Sequence, residues 1–121
     1  MEPKPTLVLG ASPNPDRYSY KAITMLTEKG HPVFAIGSRP GFVGSTEIKC
    51  SAKVDSPIHT ITIYLRAELQ KSYYNFILEL KPQRIIFNPG TENPELEDIA
   101  KKHGIATTQA CTLVLLATGN Y

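Results

Sequence analysis

Charge of one sign is scarce in this sequence. Thirteen lysines and arginines stand against eleven acids, a formal charge of +2 over 121 residues. The basic residues never form a block of five or six, which excludes a nucleic-acid partner recognised by charge alone. A local anion site, needing only a few cations, stays open. Cysteine is scarce too: Cys50 and Cys111 lie far apart and in no metal-ligand spacing. That excludes a disulfide framework or a thiolate metal centre, and leaves two free thiols suited to a reducing compartment. Long hydrophobic runs are missing. The longest mostly apolar stretch, Cys111 to Ala117, is far short of the roughly 20 residues a membrane helix needs. Met1 to Pro5 lacks the charged-then-apolar pattern of a signal peptide, so the cytoplasm is the expected location and no membrane partner is expected. No internal repeat or low-complexity segment is present.

What remains is an ordinary globular composition, 41% hydrophobic and 20% charged, in a chain sized for one domain spanning 1–121. Thr6-Leu7-Val8-Leu9-Gly10 is a short branched apolar run that stops at the turn cluster Ser12 to Asp16, as a buried strand feeding a loop does. Helical spacing from Tyr18 to Lys29 ends at Gly30, and Pro32 to Ile36 is a second apolar strand ending at Gly37. Ser38 to Pro57 reads as a long loop with at most one short element around Val43 to Ile48. Ile58 to Leu65 is a β-branched third strand, and Ala67 to Leu80 a helix with Leu69, Tyr73, Phe76, Ile77 and Leu80 on one stripe. Arg84 to Phe87 is a fourth strand. Asn93 then caps a helix that opens on Pro94, carries acids in its first turn and ends at Lys101-Lys102-His103 before Gly104. Ile105 to Thr108 is a fifth strand, and the apolar tail Leu113 to Leu116 must be covered by the domain or by a second copy in a homodimer.

Strands alternate with helices, and several strands are apolar on both faces. That pattern predicts a doubly wound α/β domain with a parallel sheet covered on both sides. Right-handed crossovers put every strand-to-helix turn on one edge, where ligands bind. The first turn is the most informative. Gly10 has no Cβ to keep a phosphate from the backbone, Ser12 offers a hydroxyl, and the following helix aims free N–H groups at the same place. Gly10-Ala11-Ser12-Pro13-Asn14-Pro15 lacks the second and third glycines of the dinucleotide fingerprint and the Gly-Lys-Ser/Thr of a P-loop. The second strand ends Gly37-Ser38-Arg39, with no acid for a ribose hydroxyl, which disfavours NAD. A guanidinium suits a ribose phosphate, as in NADP or at the 3′ position of coenzyme A. Arg66 follows the third strand on the same edge, and Asn88-Pro89-Gly90 gives a tight turn after the fourth. Tyr73 and Tyr74 read as core and interface, Cys111 as a small buried hydrophobe, and the three histidines as ordinary. Neither a metal cluster nor a nucleophile–base arrangement is evident, so the chain reads as a binding protein and not an enzyme.

These residues resemble the small stand-alone CoA-binding proteins, similar in turn to the CoA-binding domain of the succinyl-CoA synthetase α-subunit. The likeness spans nearly the whole chain. It is carried by Leu7 to Ser12, Pro15-x-Arg17-x-Ser19-Tyr20, the end of the second strand, Tyr64-Leu65-Arg66, the turn with Gly90 and Asn93, and Cys111. The resemblance implies a Rossmann-like five-stranded parallel sheet in three α/β/α layers that binds coenzyme A or an acyl-CoA without catalysis. It implies Gly10, Ala11, Ser12, Pro15, Arg17, Ser19 and Tyr20 around the diphosphate and Gly37, Ser38 and Arg39 by the adenosine. Tyr64, Leu65 and Arg66 would lie along the pocket wall, with Pro89 and Gly90 beside the pantetheine. The chain departs from the family at Ala35-Ile36-Gly37-Ser38, where Pro-Val-x-Pro is usual, and at Ala110-Cys111-Thr112 in place of Arg-Cys-Pro. Two rivals fit the residues: an NADP-binding oxidoreductase or redox sensor using the same Arg39, and an interaction module with a vestigial pocket.

Overall fold

Branched apolar runs zip into the centre of the molecule. In a computed structural model, which describes residues 2–121, β1 (Thr6–Leu9) lies at the middle of one sheet. It is flanked in parallel by β2 (Val33–Ile36) and β5 (Thr60–Ile63), with Leu9 level with both Ile36 and Ile63. β6 (Arg84–Phe87) and β7 (Ala106–Gln109) extend the sheet beyond β5, again in parallel. On the other side stand β3 (Gly41–Val43) and β4 (Thr46–Lys49), and the full order is β3-β4-β2-β1-β5-β6-β7.

The sheet therefore has seven strands where five were expected. The two extra strands form a hairpin within Ser38 to Pro57. β4 runs parallel to β2, and β3 folds back antiparallel to it across the two-residue turn Gly44-Ser45. Gly44 holds a φ of +59°, the left-handed conformation such a turn demands. Each hairpin strand buries one branched residue, Val43 and Ile48, beside the exposed Phe42 and Glu47.

Both faces of the sheet are covered, as the two-sided apolar strands require. One face carries Leu7, Leu9, Ile61, Ile63, Ile85 and Phe87. It packs under α3 (Tyr74–Leu80), through Ile77, and α4 (Pro94–Lys102), through Leu96 and Ala100. The other carries Val8, Ala35, Ile48 and Ile86 beneath Ile23 and Leu26 of α1 (Tyr18–Glu28) and Leu116 of α5 (Thr112–Ala117). Three α/β/α layers result. The apolar tail forms a short helix that buries Leu116 within the chain and leaves Val114 exposed. The helix expected over 67–80 divides into α2 (Ala67–Gln70), a 3₁₀ turn at Lys71–Tyr73, and α3. No helix among the described residues is long and apolar enough to cross a membrane.

The chain passes from β1 to β2, out to β3 at the sheet's edge and back to β4 beside β2, then crosses to β5 on β1's other side. The winding direction reverses between the carboxyl ends of β1 and β5, the crevice where open α/β sheets bind ligands.

Candidate functional site

Three strand ends interlock at that crevice. The N–H groups of Gly10 and Ala11 both donate to the carbonyl of Ile36, at 2.8 and 2.9 Å, so β1 turns away from the sheet over the end of β2. Gly10 has a φ of +96°, and a Cβ there would lie 2.9 Å from the Tyr64 carbonyl carbon and 3.0 Å from Leu65. A Cβ on Gly37 would lie 2.1 Å from the Ala11 carbonyl oxygen. The space expected to admit a phosphate at Gly10 is therefore filled in part by the β5–α2 turn. Both glycines permit turns to pack on turns.

Beyond Ala11, the loop builds itself from short polar contacts. Ser12 Oγ accepts the Asn14 N–H at 3.1 Å, Asn14 Oδ1 accepts the Asp16 N–H at 3.0 Å, and the Asn14 carbonyl accepts the Arg17 N–H at 3.1 Å. Because Ser12 Oγ accepts in this turn, its own proton stays free for a ligand. Arg17 occupies the N-cap of α1 in an extended conformation, with no side-chain cap and no acid in the first turn. Helices ordinarily close this end with Ser, Thr, Asp or Asn. This one leaves its positive end open beneath a loop carrying exposed Arg17 and Pro15, with Ser19 buried and Tyr20 half-buried in the first turn.

Around Gly10 lies a cavity of about 200 Å³, bounded by Gly37, Ser38, Leu65, Leu69, Ser72 and Tyr73. Gly10, Gly37, Ser38 and Leu65 from the sequence expectation therefore meet in one place. Leu69 and Tyr73 were legible only as members of one helical stripe. Arg39 is exposed just beyond Ser38. Arg66 caps α2 and forms a 3.1 Å surface ion pair with Glu68, both side chains largely in solvent. Such a pair contributes little and leaves the guanidinium available.

Tyr64 lies apart from that cavity. It follows Ile63 on the opposite face of the sheet and packs with the α1–α5 layer. Its hydroxyl is buried with no hydrogen-bond partner, and burial pushes the phenol up to about 12, only partly opposed by the Thr62 and Thr112 hydroxyls nearby. Pro89 and Gly90 are exposed, and the Gly90 N–H already donates to the Glu92 carboxylate at 3.0 Å.

Behind the edge stands a polar brace that the sequence did not announce. Asn88 is buried; its Nδ2 donates to Thr62 Oγ1 at 2.7 Å and to the Ile63 carbonyl at 2.9 Å, and its Oδ1 accepts the Thr112 N–H at 2.9 Å. Gln70, fully buried, donates to the carbonyls of Leu65 and Thr91 and accepts from Asn93 Nδ2 at 2.9 Å. Asn93 also caps α4 through the Leu96 N–H. Apart from the Asn93 cap and the bond from Gln70 to Leu65, these bonds join residues more than 20 apart in sequence, so local pattern could not reveal them.

A larger open groove, about 680 Å³, lies over β2 and β4 beneath Ser51 to Ser56. It includes no residue of the turns after β1, β5 or β6, and mixes Phe34 and Val54 with charges of both signs. Size alone favours it. The reversal of winding, the open helix end and the converging turns favour the smaller cavity.

Residues 4–117 match the model of a family described as a CoA binding domain. No curated protein matches the chain. A crystal structure of an uncharacterized protein superimposes with a TM-score of 0.96 at 43% identity, covering 100% of both chains. A hypothetical protein from Pyrococcus horikoshii OT3 gives 0.84 at 20% identity over 92% of this chain and 80% of its own. A Thermus thermophilus protein gives 0.85 at 20% over 98% and 91%. The last two likenesses concern the fold alone.

Proposed function

This chain belongs to the CoA-binding domain family, and from that premise we propose that it binds coenzyme A or an acyl-CoA at the β1/β5 crevice without transforming it. The observation that carries this reading is the open N-terminus of α1 beneath the Gly10-Ala11-Ser12 turn, at the reversal of winding. Uncapped N–H groups, the Ser12 hydroxyl and the Arg17 guanidinium suit a diphosphate. Ser38 and Arg39, at the rim of the small cavity, suit the adenosine and its 3′-phosphate. Leu65 and Arg66 form the wall, and the thiol-bearing arm runs toward Pro89 and Gly90. Tyr64 supports the wall from the other face of the sheet and does not touch the ligand.

Bound here, the coenzyme would contribute its thiol or thioester. The chain's own groups hold its charged end.

Isothermal titration with coenzyme A, dephospho-CoA and NADPH tests the reading. Saturable heat with coenzyme A is expected, and Arg39→Ala should weaken coenzyme A by about tenfold while changing dephospho-CoA little, since a charge-assisted contact to an exposed phosphate is worth about 1.5 kcal/mol. No heat with coenzyme A, or tighter binding of NADPH, overturns the proposal. Equal losses for both CoA forms would remove Arg39 from the 3′-phosphate.

A further inference from the structure

The edge of the sheet opposite the crevice gathers bases around an aromatic residue. Tyr121, three residues beyond the end-capping Thr118 of α5, is buried. Its hydroxyl bonds Thr6 Oγ1, its main-chain oxygen accepts from Lys4 Nζ, and its ring lies 4.3 Å from the Arg84 guanidinium carbon. The ring also packs against His31, 4.9 Å between centroids. His31 is itself buried, at 4% exposure, and its Nδ1 accepts the Lys4 backbone N–H at 2.9 Å. The ring is therefore neutral, with its proton on Nε2, and that atom is buried without a partner. We propose that His31, Lys4 and Tyr121 form an acid-releasable latch, which holds the segment after α5 against the sheet while the imidazole is neutral.

The chemistry of release is specific. A second ring proton would sit on Nδ1 and face the Lys4 N–H, turning an acceptor into a donor opposed by a donor. It would also add a cation close to Lys4 and Arg84. Before β1 stands Lys4, before β5 His59, at the start of β6 Arg84, and from beyond α5 comes Tyr121, whose main-chain oxygen Lys4 Nζ engages. Glu28 and Lys29 at the end of α1 are exposed and make no side-chain hydrogen bond to the ring. Burial, reinforced by Lys4 and Arg84, accordingly holds His31 below its ordinary value.

The consequence reaches across the molecule. α5 is fastened at both sheet edges, by the Thr112 N–H on Asn88 at the crevice and by Tyr121 here. Freeing the Tyr121 end leaves the helix attached at one end only. This inference stands independently of what the crevice binds.

Hydrogen exchange of the peptide covering Val114 to Tyr121, taken as a ratio to the peptide covering β1, removes the intrinsic pH dependence. Measured from about pH 7.5 down through the titration of the His31 ring seen by NMR, the ratio should rise about tenfold in the wild type. In His31→Asn the side-chain oxygen stands where Nδ1 does and cannot be protonated, so the ratio should stay flat. An unchanged wild-type ratio across the ring's titration, or the same rise in H31N, overturns the latch. Should H31N fail to fold, the wild-type ring decides: titration at or above about 6.5 contradicts a buried neutral imidazole.

Discussion

A methyl group added at Gly37 would sit 2.1 Å from the Ala11 carbonyl oxygen, a distance no rotamer relieves because the obstacle is backbone. Gly37→Ala must therefore push the β1–α1 turn off the end of β2. Overpacking of this kind costs about 1–3 kcal/mol, and urea denaturation should show a loss in that range. Coenzyme A affinity should fall with it, because the displaced turn carries Ser12. Unchanged stability would mean that the strand ends do not interlock as described. At this scale the sequence was informative about glycines and silent about polar braces. Gly10 and Gly37 declare themselves by ending apolar runs. The reason they are glycine differs at Gly10: neighbouring backbone, and not only a ligand, occupies the missing Cβ position. Asn88 and Gln70 declare nothing, because all but one of the partners of these buried amides lie 20 or more residues away.

α1 starts without a cap, and that vacancy links stability to function. Arg17→Asp should supply the missing acceptor and a favourable charge, stabilising the protein by about 1 kcal/mol. It should also set a carboxylate where the diphosphate is proposed to lie, weakening coenzyme A at least about tenfold. Thermal melts and titration on the same variant measure both. A stabilised variant with full affinity would move the diphosphate elsewhere. Elements with strong local signals were legible. β6 follows from an unbroken branched run, and α4 from an Asn93 cap followed by Pro94 and paired charges at each end. The β3–β4 hairpin was not, since its strands bury one residue apiece and sit among Gly, Ser and Pro. The break between α2 and α3 was hidden by a stripe that continues through it, from Leu69 past Tyr73 to Ile77.

Across the whole molecule, buried titratable groups set the range of pH in which the fold is most stable. Burial, then nearby cations, lowers both His31 and His59. The unfolded chain then takes up protons first, near 6.5, and their stabilising contribution, complete above that value, is lost as pH falls below it. Burial raises Tyr64 to about 12. Its contribution is complete below the unfolded value of about 10 and is lost as pH rises from there toward 12. The melting temperature should be highest between about pH 7 and 9.5 and fall by a few degrees at either side. Melts at about pH 5, 8 and 11 check this; a flat profile from 8 down to 5 would contradict histidines held neutral by burial and neighbouring cations.

The proposed site rests on a reversal of winding that the order of strands alone determines. Two-dimensional ¹H–¹⁵N spectra recorded during titration with coenzyme A test that most directly. The account predicts saturable shifts concentrated at Gly10 to Tyr20, Gly37 to Arg39 and Leu65 to Tyr73, with β7 and the groove over β4 unmoved. Absence of shifts, or shifts centred on Thr46 to Ser56, would contradict it.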